Sequence, residues 1–381
     1  MEIVSIKKTE SYILKDVKKN IENSLKEIGG IKSIIKKTDS VLLKPNLLTA
    51  RKPEDCVTTH PIVIEAVILI LKEYGIKKIA LGDSPALDSM FKVLKISGIE
   101  DVCKKHNIEI IEFKDEKKLV NKNNKVVKQF YLAKKAFEFN KIINLPKMKT
   151  HSFTIFTGSV KNLFGLVPGK SKLVFHAKHM DPLDFCDMLL DLNNIANPCL
   201  TIMDGIVGME GNGPSGGEPR NFNVLLTGKN TIAIDNIACE IMGIKKVPLI
   251  ISAKKRNLLG SDLKNIAIKG NSVSELKLKD VKYPKLGIIA SFRGIFAILR
   301  KFIAKYPFVK TKKCISCAKC NEICPVNAIS MKKDTLLKNS HINHKNIPFF
   351  DYKKCIRCYC CHEVCPVKAI GLKKPRFGFV R

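Results

Sequence analysis

Eight cysteines in the last quarter of the chain carry the clearest chemistry. They fall in two runs, Cys314-Ile-Ser-Cys317-Ala-Lys-Cys320-Asn-Glu-Ile-Cys324-Pro325 and Cys355-Ile-Arg-Cys358-Tyr-Cys-Cys361-His-Glu-Val-Cys365-Pro366. Both read C-x2-C-x2-C-x3-C-P, the spacing that holds cubane iron–sulfur clusters. Two intervening residues return a tight loop to the same face, so three thiolates reach three irons of one cubane. The fourth cysteine opens a short helix, and the proline after it fixes φ and supplies no amide donor. Where one chain holds two such runs, the fourth cysteine of each serves the other cluster. The expected ligands are therefore Cys314, Cys317, Cys320 and Cys365 for one [4Fe–4S] cluster, and Cys355, Cys358, Cys361 and Cys324 for the second. Two zinc sites would need only paired C-x2-C elements and would leave the x3-C-P endings without a purpose.

The other cysteines (Cys56, Cys103, Cys186, Cys199, Cys239, Cys360) show no spacing of a site. The first five read as small buried apolar residues, and Cys360 as a packing neighbour of Cys361. Free thiols beside clusters suit a reducing compartment without disulfides. The start, Met-Glu-Ile-Val-Ser-Ile-Lys-Lys, lacks the apolar core of a signal peptide. The apolar stretch Leu286–Val309 is broken by Arg293, Arg300, Lys301 and Lys305, so no transmembrane segment is expected. These features predict a cytoplasmic protein.

A net charge of +32 over 381 residues invites a nucleic-acid or membrane reading. Of the 67 basic residues, however, 59 are lysines spread along the chain, aromatics are 7% and Trp is absent. A nucleic-acid site favours arginine with stacking aromatics, so no nucleic-acid partner is expected. The cluster-bearing part is the more basic: residues 301–381 hold 18 Lys/Arg against 4 Asp/Glu, a net of +14. That surplus favours a reduced, more negative cluster and a redox partner protein with an acidic surface.

Upstream, apolar runs alternate with helical patterns. The segments Glu2–Ile6, Ser40–Leu43, Ile79–Leu81, Ile108–Phe113, Lys141–Leu145 and Leu200–Met203 read as strands. Val17–Ile28, a helix opening at Pro61, Leu87–Ser97, Pro182–Ile195 and Thr231–Met242 read as helices. This rhythm predicts an α/β domain over 1–284, with a parallel or mixed sheet and helices on both faces. A small α+β dicluster module is expected over 306–381. An amphipathic linker helix over 285–305 is expected to join them, its apolar face packing or making peripheral membrane contact. In such sheets ligands bind beyond the carboxyl ends of the strands. Polar residues recur there: Lys44-Pro-Asn46, Asp83, and Lys147-Met-Lys149-Thr-His151. The glycine-rich stretch Gly205–Gly217 reads as a loop able to approach an anion. Gly165-Leu-Val-Pro-Gly169-Lys170-Ser171 is one residue short of a P-loop and follows no buried strand, so no ATPase is expected.

With these residues laid out, the chain resembles the domain-of-unknown-function family 362 in its form fused to a C-terminal dicluster ferredoxin. The resemblance rests on Lys44-Pro-Asn46, Thr59-His60-Pro61, Gly82-Asp83-Ser-Pro85, Pro146-Lys147-Met-Lys149-Thr-His151, Val160-Lys161-Asn162-Leu-Phe-Gly165 and Asp204-Gly205 with Met209-Glu210-Gly-Asn-Gly-Pro214. The family carries no general activity to transfer, so function must come from the residues. The expected function is iron–sulfur electron transfer, to or from a site in the α/β domain or a partner redox protein. The candidate acid–base groups are Lys149, His151, Lys161, Asp83 and Asp204. Those expected to bind a small anionic substrate are Lys44, Asn46, His60, Lys147, Asn162, His176 and Glu210. The alternatives are a nucleic-acid-binding iron–sulfur protein and a metal or cluster delivery protein using His151, His176, Asp83 and Asp204.

Overall fold

The alternation of apolar runs and amphipathic helices builds a mixed sheet of ten strands. A computed structural model describes residues 1–284, 304–333 and 346–375. The expected linker helix over 285–305 lies almost wholly outside the described residues. The chain divides into two compact units, one of Met1–Gly169 with Cys186–Pro284, the other of Lys170–Phe185 with Lys285–Arg381. The α/β unit is therefore interrupted, because Lys170–Phe185 groups with the C-terminal part.

In the first unit the strands are β1 (Glu2–Lys8), β2 (Ser40–Pro45), β3 (Lys78–Asp83), β4 (Glu109–Glu112), β5 (Glu116–Val120) and β6 (Gln129–Ala133). After them come β7 (Lys141–Leu145), β8 (Lys147–His151), β9 (Ile155–Thr157), β10 (Leu200–Glu210), β11 (Glu218–Gly228) and β12 (Ile266–Gly270). The main order is β12-β1-β11-β10-β7-β2-β3-β4, with β8 and β9 branching from β10. The run β10-β7-β2-β3-β4 is parallel, and β11 is antiparallel to both β10 and β1.

Side-chain alternation assigns the two faces. Val41, Leu43, Ile79, Leu81, Ile143, Leu145 and Ile202 share one core with Val17, Ile21 and Leu25 of the helix Leu14–Glu27 and with the helix Pro61–Tyr74. The opposite face is covered by Thr231–Ile241, packed on β1, β10 and β11, and by the short helix Ser159–Asn162 on β7. Helices on both faces of a mixed sheet match the expected class.

Two local expectations are corrected. Lys147–His151 is not a loop but the strand β8, a continuation of β7 bent at Pro146, whose carbonyl accepts the amide of Asp204 at 2.9 Å. The glycine-rich stretch is mostly β10 and its turn into β11, an eleven-residue hairpin arm on each side. Its glycines serve close packing: a Cβ at Gly208 would lie 2.3 Å from the Met148 carbonyl. Between Phe113 and β7 the chain forms β5, paired antiparallel to β6.

The helix Ser159–Asn162 has no cap of its own. Asp235, from the middle of the helix Thr231–Ile241, accepts the amides of Ser159 at 2.5 Å and Val160 at 3.0 Å. Burial pushes its carboxyl up to about 7, against the lowering effect of those two amides. An Asp235→Ala variant orphans two buried donors and is expected to lose about 1–3 kcal/mol in urea unfolding.

Candidate functional site

At the carboxyl ends of the strands, two lysines sit inside the protein and each meets an aspartate at once. On the adjacent strands β2 and β3, Lys44 Nζ lies 2.8 Å from Asp83 Oδ1 and also donates to the Pro45 carbonyl at 2.8 Å. Asp83 further accepts the amides of Leu47 and Ser84, each at 2.8 Å. A Cβ at Gly165 would fall 2.0 Å from Asp83 Oδ1 and 2.6 Å from Lys44 Nζ. The glycine of the near-P-loop is thus a steric requirement of this ion pair. Burial lowers the Lys44 ammonium's pKa, and Asp83 offsets part of that.

The second pair lies across β8 and β10, where Lys147 and Asp204 are register partners. Lys147 Nζ donates to Asp204 Oδ2 at 2.7 Å and to the Tyr12 hydroxyl at 2.8 Å. Tyr12 donates to Asp204 Oδ1 at 2.9 Å and accepts the Val207 amide at 3.1 Å. Asp204 Oδ2 also receives the His60 amide at 3.0 Å. Burial, then Asp204, holds the Tyr12 hydroxyl far above its ordinary range, so it stays protonated. The Tyr12 ring stacks on His60 at 3.5 Å, and both are half-buried, which makes them the edge where solvent reaches this network. His60 Nδ1 caps the helix Pro61–Tyr74 by accepting the Ile62 amide at 3.2 Å.

The expected site residues are gathered here only in part. Lys149 is buried and donates to Asn46 Oδ1 at 2.6 Å and the Val57 carbonyl at 2.8 Å. His151 is buried, its Nδ1 accepting the amides of Phe153 and Thr154. Asn162 donates to the Lys44 carbonyl and Asn144 Oδ1, so it ties β2 to β7. Glu210, at the far end of β10, accepts the Lys282 amide at 3.1 Å. Lys161 is half-buried and takes no part in either pair. His176 falls in the other unit, stacked on Phe185 at 4.6 Å. The set was expected to face an anionic substrate, but Lys44, Asp83, Lys147, Lys149, His151 and Asp204 are all buried among internal partners. Tyr12 and Cys56 were missed. Cys56 lies within electrostatic reach of Lys147, Asp204 and Lys149, and burial pushes its thiol up. Tyr12 stands 192 positions from Asp204 with no motif around it.

In the second unit, β13 (Tyr306–Val309) pairs with β16 (Ile370–Lys373), and β14 (Ile329–Lys333) with β15 (Asn346–Phe350). The two cysteine loops share one backbone. Left-handed residues recur at matching places: Ser316 (φ 57°) and Arg357 (57°), Ala318 (59°) and Tyr359 (66°), Asn327 (49°) and Lys368 (52°). Such turns aim successive amides inward and make an anion-binding concavity. Ala328 N–H donates to Cys324 Sγ at 3.2 Å and Ala369 N–H to Cys365 Sγ at 3.1 Å, again at matching places.

The thiols group across the motifs. Cys324, Cys355, Cys358 and Cys361 line one cavity whose other walls include Val326, Ile329, Phe350 and Ile356. Burial and then its neighbours Cys317, Cys365 and Cys314 push the Cys320 thiol up to about 11, against its own loop amide. Two sets of four soft sulfur donors, with amide donors at the sulfurs, fit cubane clusters. Cys360 is buried, as expected of a packing residue. Among the described residues, no three His, Cys, Asp or Glu side chains converge on a single metal ion.

Two family models match the chain. The profile described as Domain of unknown function (DUF362) matches residues 41–240. The chain belongs to the DUF362 family. A 4Fe-4S dicluster domain matches residues 313–369, so this DUF362 protein carries two [4Fe–4S] clusters. The thylakoid-associated protein sll1697 of Synechocystis sp. (strain ATCC 27184 / PCC 6803 / Kazusa) is 32% identical over 300 residues, 78% of this chain and 92% of that protein. Among solved structures, the lactate racemase apoprotein from Thermoanaerobacterium thermosaccharolyticum aligns with a TM-score of 0.41 at 12% identity, over 61% of this chain and 55% of its own.

Three variants probe the strand-end network. Asp83→Ala leaves the Lys44 charge buried and is expected to cost about 3–5 kcal/mol, while Lys44→Met with Asp83→Leu loses much less; urea unfolding compares them. Burial lowers the His60 pKa to about 4 from 6.5. Between those values the unfolded chain binds more protons, so stability from this group is full above pH 6.5 and is lost as pH falls towards 4. The loss is up to about 3 kcal/mol. His60→Asn, which keeps a capping acceptor, is expected to flatten that part of the pH profile.

Proposed function

We propose that this protein is a one-electron relay, exchanging electrons between its two clusters and a partner redox protein. When bound, a [4Fe–4S] cluster supplies one-electron redox chemistry; the protein's part is to hold, insulate and expose it. The observation that carries the reading is the pair of matching cysteine loops, each with the same left-handed turns and amide-to-sulfur bonds. We assign Cys314, Cys317, Cys320 and Cys365 to one cluster, and Cys355, Cys358, Cys361 and Cys324 to the other. The cavity shared by the second set supports that grouping.

In the α/β unit, a small anionic substrate would meet the polar network at its half-buried edge, the Tyr12–His60 stack beside Lys147–Asp204. Lys147 and Asp204 neutralise each other beneath that edge, and Tyr12 ties the pair to it. Among the described residues no helix is long and apolar enough to cross a membrane. A relative is named for its thylakoid association, and peripheral membrane contact belongs to this reading.

Anaerobic reconstitution followed by iron analysis and EPR tests the relay and its ligands together. The reduced protein is expected to hold about eight irons and to show two interacting cubanes. A Cys324→Ser, Cys355→Ser double variant removes two ligands of one cluster and is expected to keep about four irons. A Cys324→Ser, Cys314→Ser variant touches both clusters and is expected to keep far fewer. Equal losses in the two double variants would refute the cross-motif assignment.

A further inference from the structure

The two cysteine loops are alike in backbone and unlike in surroundings. In the second, Cys358 is 8% exposed, Arg357 5% and Tyr359 6%. Arg357 donates to the Ala304 carbonyl and Tyr359 to the Lys305 carbonyl, so the strand entering β13 lies over this loop. In the first loop the matching residues are small. Ser316 stands where Arg357 stands and Ala318 where Tyr359 stands, and neither reaches out to hold a cover. Cys317, the counterpart of Cys358, is exposed, and the neighbouring Ile315 is 54% exposed.

Charge surrounds this opening. Residues 310–333 hold six lysines and one acidic residue, Glu322, which faces Lys170 at 3.8 Å. Lys310, Lys312 and Lys313 are exposed beside the loop. An apolar centre with a basic rim, directly over a ligand thiol, is the form of a transient docking surface for an acidic protein.

We infer that electrons cross between this protein and its partner at the Cys317–Ile315 face of the first loop, and that the partner is a one-electron carrier protein with an acidic rim around its own redox centre. The inference rests on the relay reading and adds which loop is the port. In the reducing direction one electron leaves the reduced carrier, which is oxidised by one equivalent, and one cluster gains it. No bond forms or breaks and no proton moves. The covered loop then serves the interior end of the relay.

The chain supplies its own control, because a lysine pair precedes each motif: Lys312-Lys313 before Cys314 and Lys353-Lys354 before Cys355, all four exposed. The probe is a small acidic [2Fe–2S] ferredoxin, titrated oxidised by calorimetry at low ionic strength and mixed photoreduced in anaerobic stopped flow. Lys312→Glu with Lys313→Glu is expected to weaken binding and slow electron transfer by about tenfold or more. Ile315→Ser, which removes the apolar contact without adding charge, is expected to weaken binding with little change in its salt dependence. Lys353→Glu with Lys354→Glu should stay within about twofold of the unaltered protein, since those charges lie off the port. Iron content and reduction by dithionite should be unchanged in all three. Equal or greater weakening by the Lys353/Lys354 reversal overturns the inference and leaves the relay reading intact, as does a carrier that fails to bind an iron-replete protein. An unaltered protein that assembles no cubanes refutes the relay reading itself.

Discussion

A lysine charge inside a sheet has to be neutralised where it stands, and this requirement organises the α/β unit. Lys44 and Lys147 each extend from a strand into the interior, where an ammonium without a partner is untenable. Asp83 on β3 and Asp204 on β10 answer them across neighbouring strands, so the pairs lock strand register as well as charge. Other features follow from that lock. Gly165 must lack a side chain to lie over one pair, Tyr12 must cross the chain to complete the other, and Pro146 bends β7 into β8 so that Lys147 comes level with Asp204.

In the C-terminal unit the governing constraint is backbone shape. Ser316, Ala318, Arg357 and Tyr359 all adopt a left-handed conformation that costs a side-chain-bearing residue about 1–2 kcal/mol. Repetition of that cost at matching positions means the turns are held for what they enclose, a ring of inward amides around thiolates. The rest of each loop is free to differ, and the bulky pair Arg357 and Tyr359 against the small pair Ser316 and Ala318 makes one loop covered and the other open.

What could be read from the chain beforehand follows from the range of each signal. The cysteine runs were legible because the geometry of a cubane fixes spacing within a dozen residues. The alternating strands and helices were legible because burial imposes a local period. The class of the sheet and the gathering of Lys44, Asp83, Lys147 and Asp204 at strand ends came from the same rule. The closed pairing did not, since a lysine that meets its aspartate 57 positions away looks the same as one left for a substrate. Tyr12 was invisible for the same reason. Lys147–His151 was misread as a loop because its polar side chains belong to a strand whose faces are both inside, where alternation of apolar and polar residues disappears. The glycines of β10 suggested a loop, although their purpose is the close approach of β8. His176 lies on Lys170–Phe185, which groups with the C-terminal unit, and no local pattern in the sequence marks that departure.

The grouping of the thiols across the two motifs bears on how the protein is made. Cys320 has Cys365 among its neighbours, and Cys324 shares a wall with Cys355. During synthesis, the first motif alone therefore offers three thiols and a fourth that faces an empty place. On the proposed assignment neither set of four is complete until the last motif has left the ribosome, so both centres are finished late. The interlacing of two short motifs thus ties the onset of redox activity to the arrival of the finished C-terminal unit.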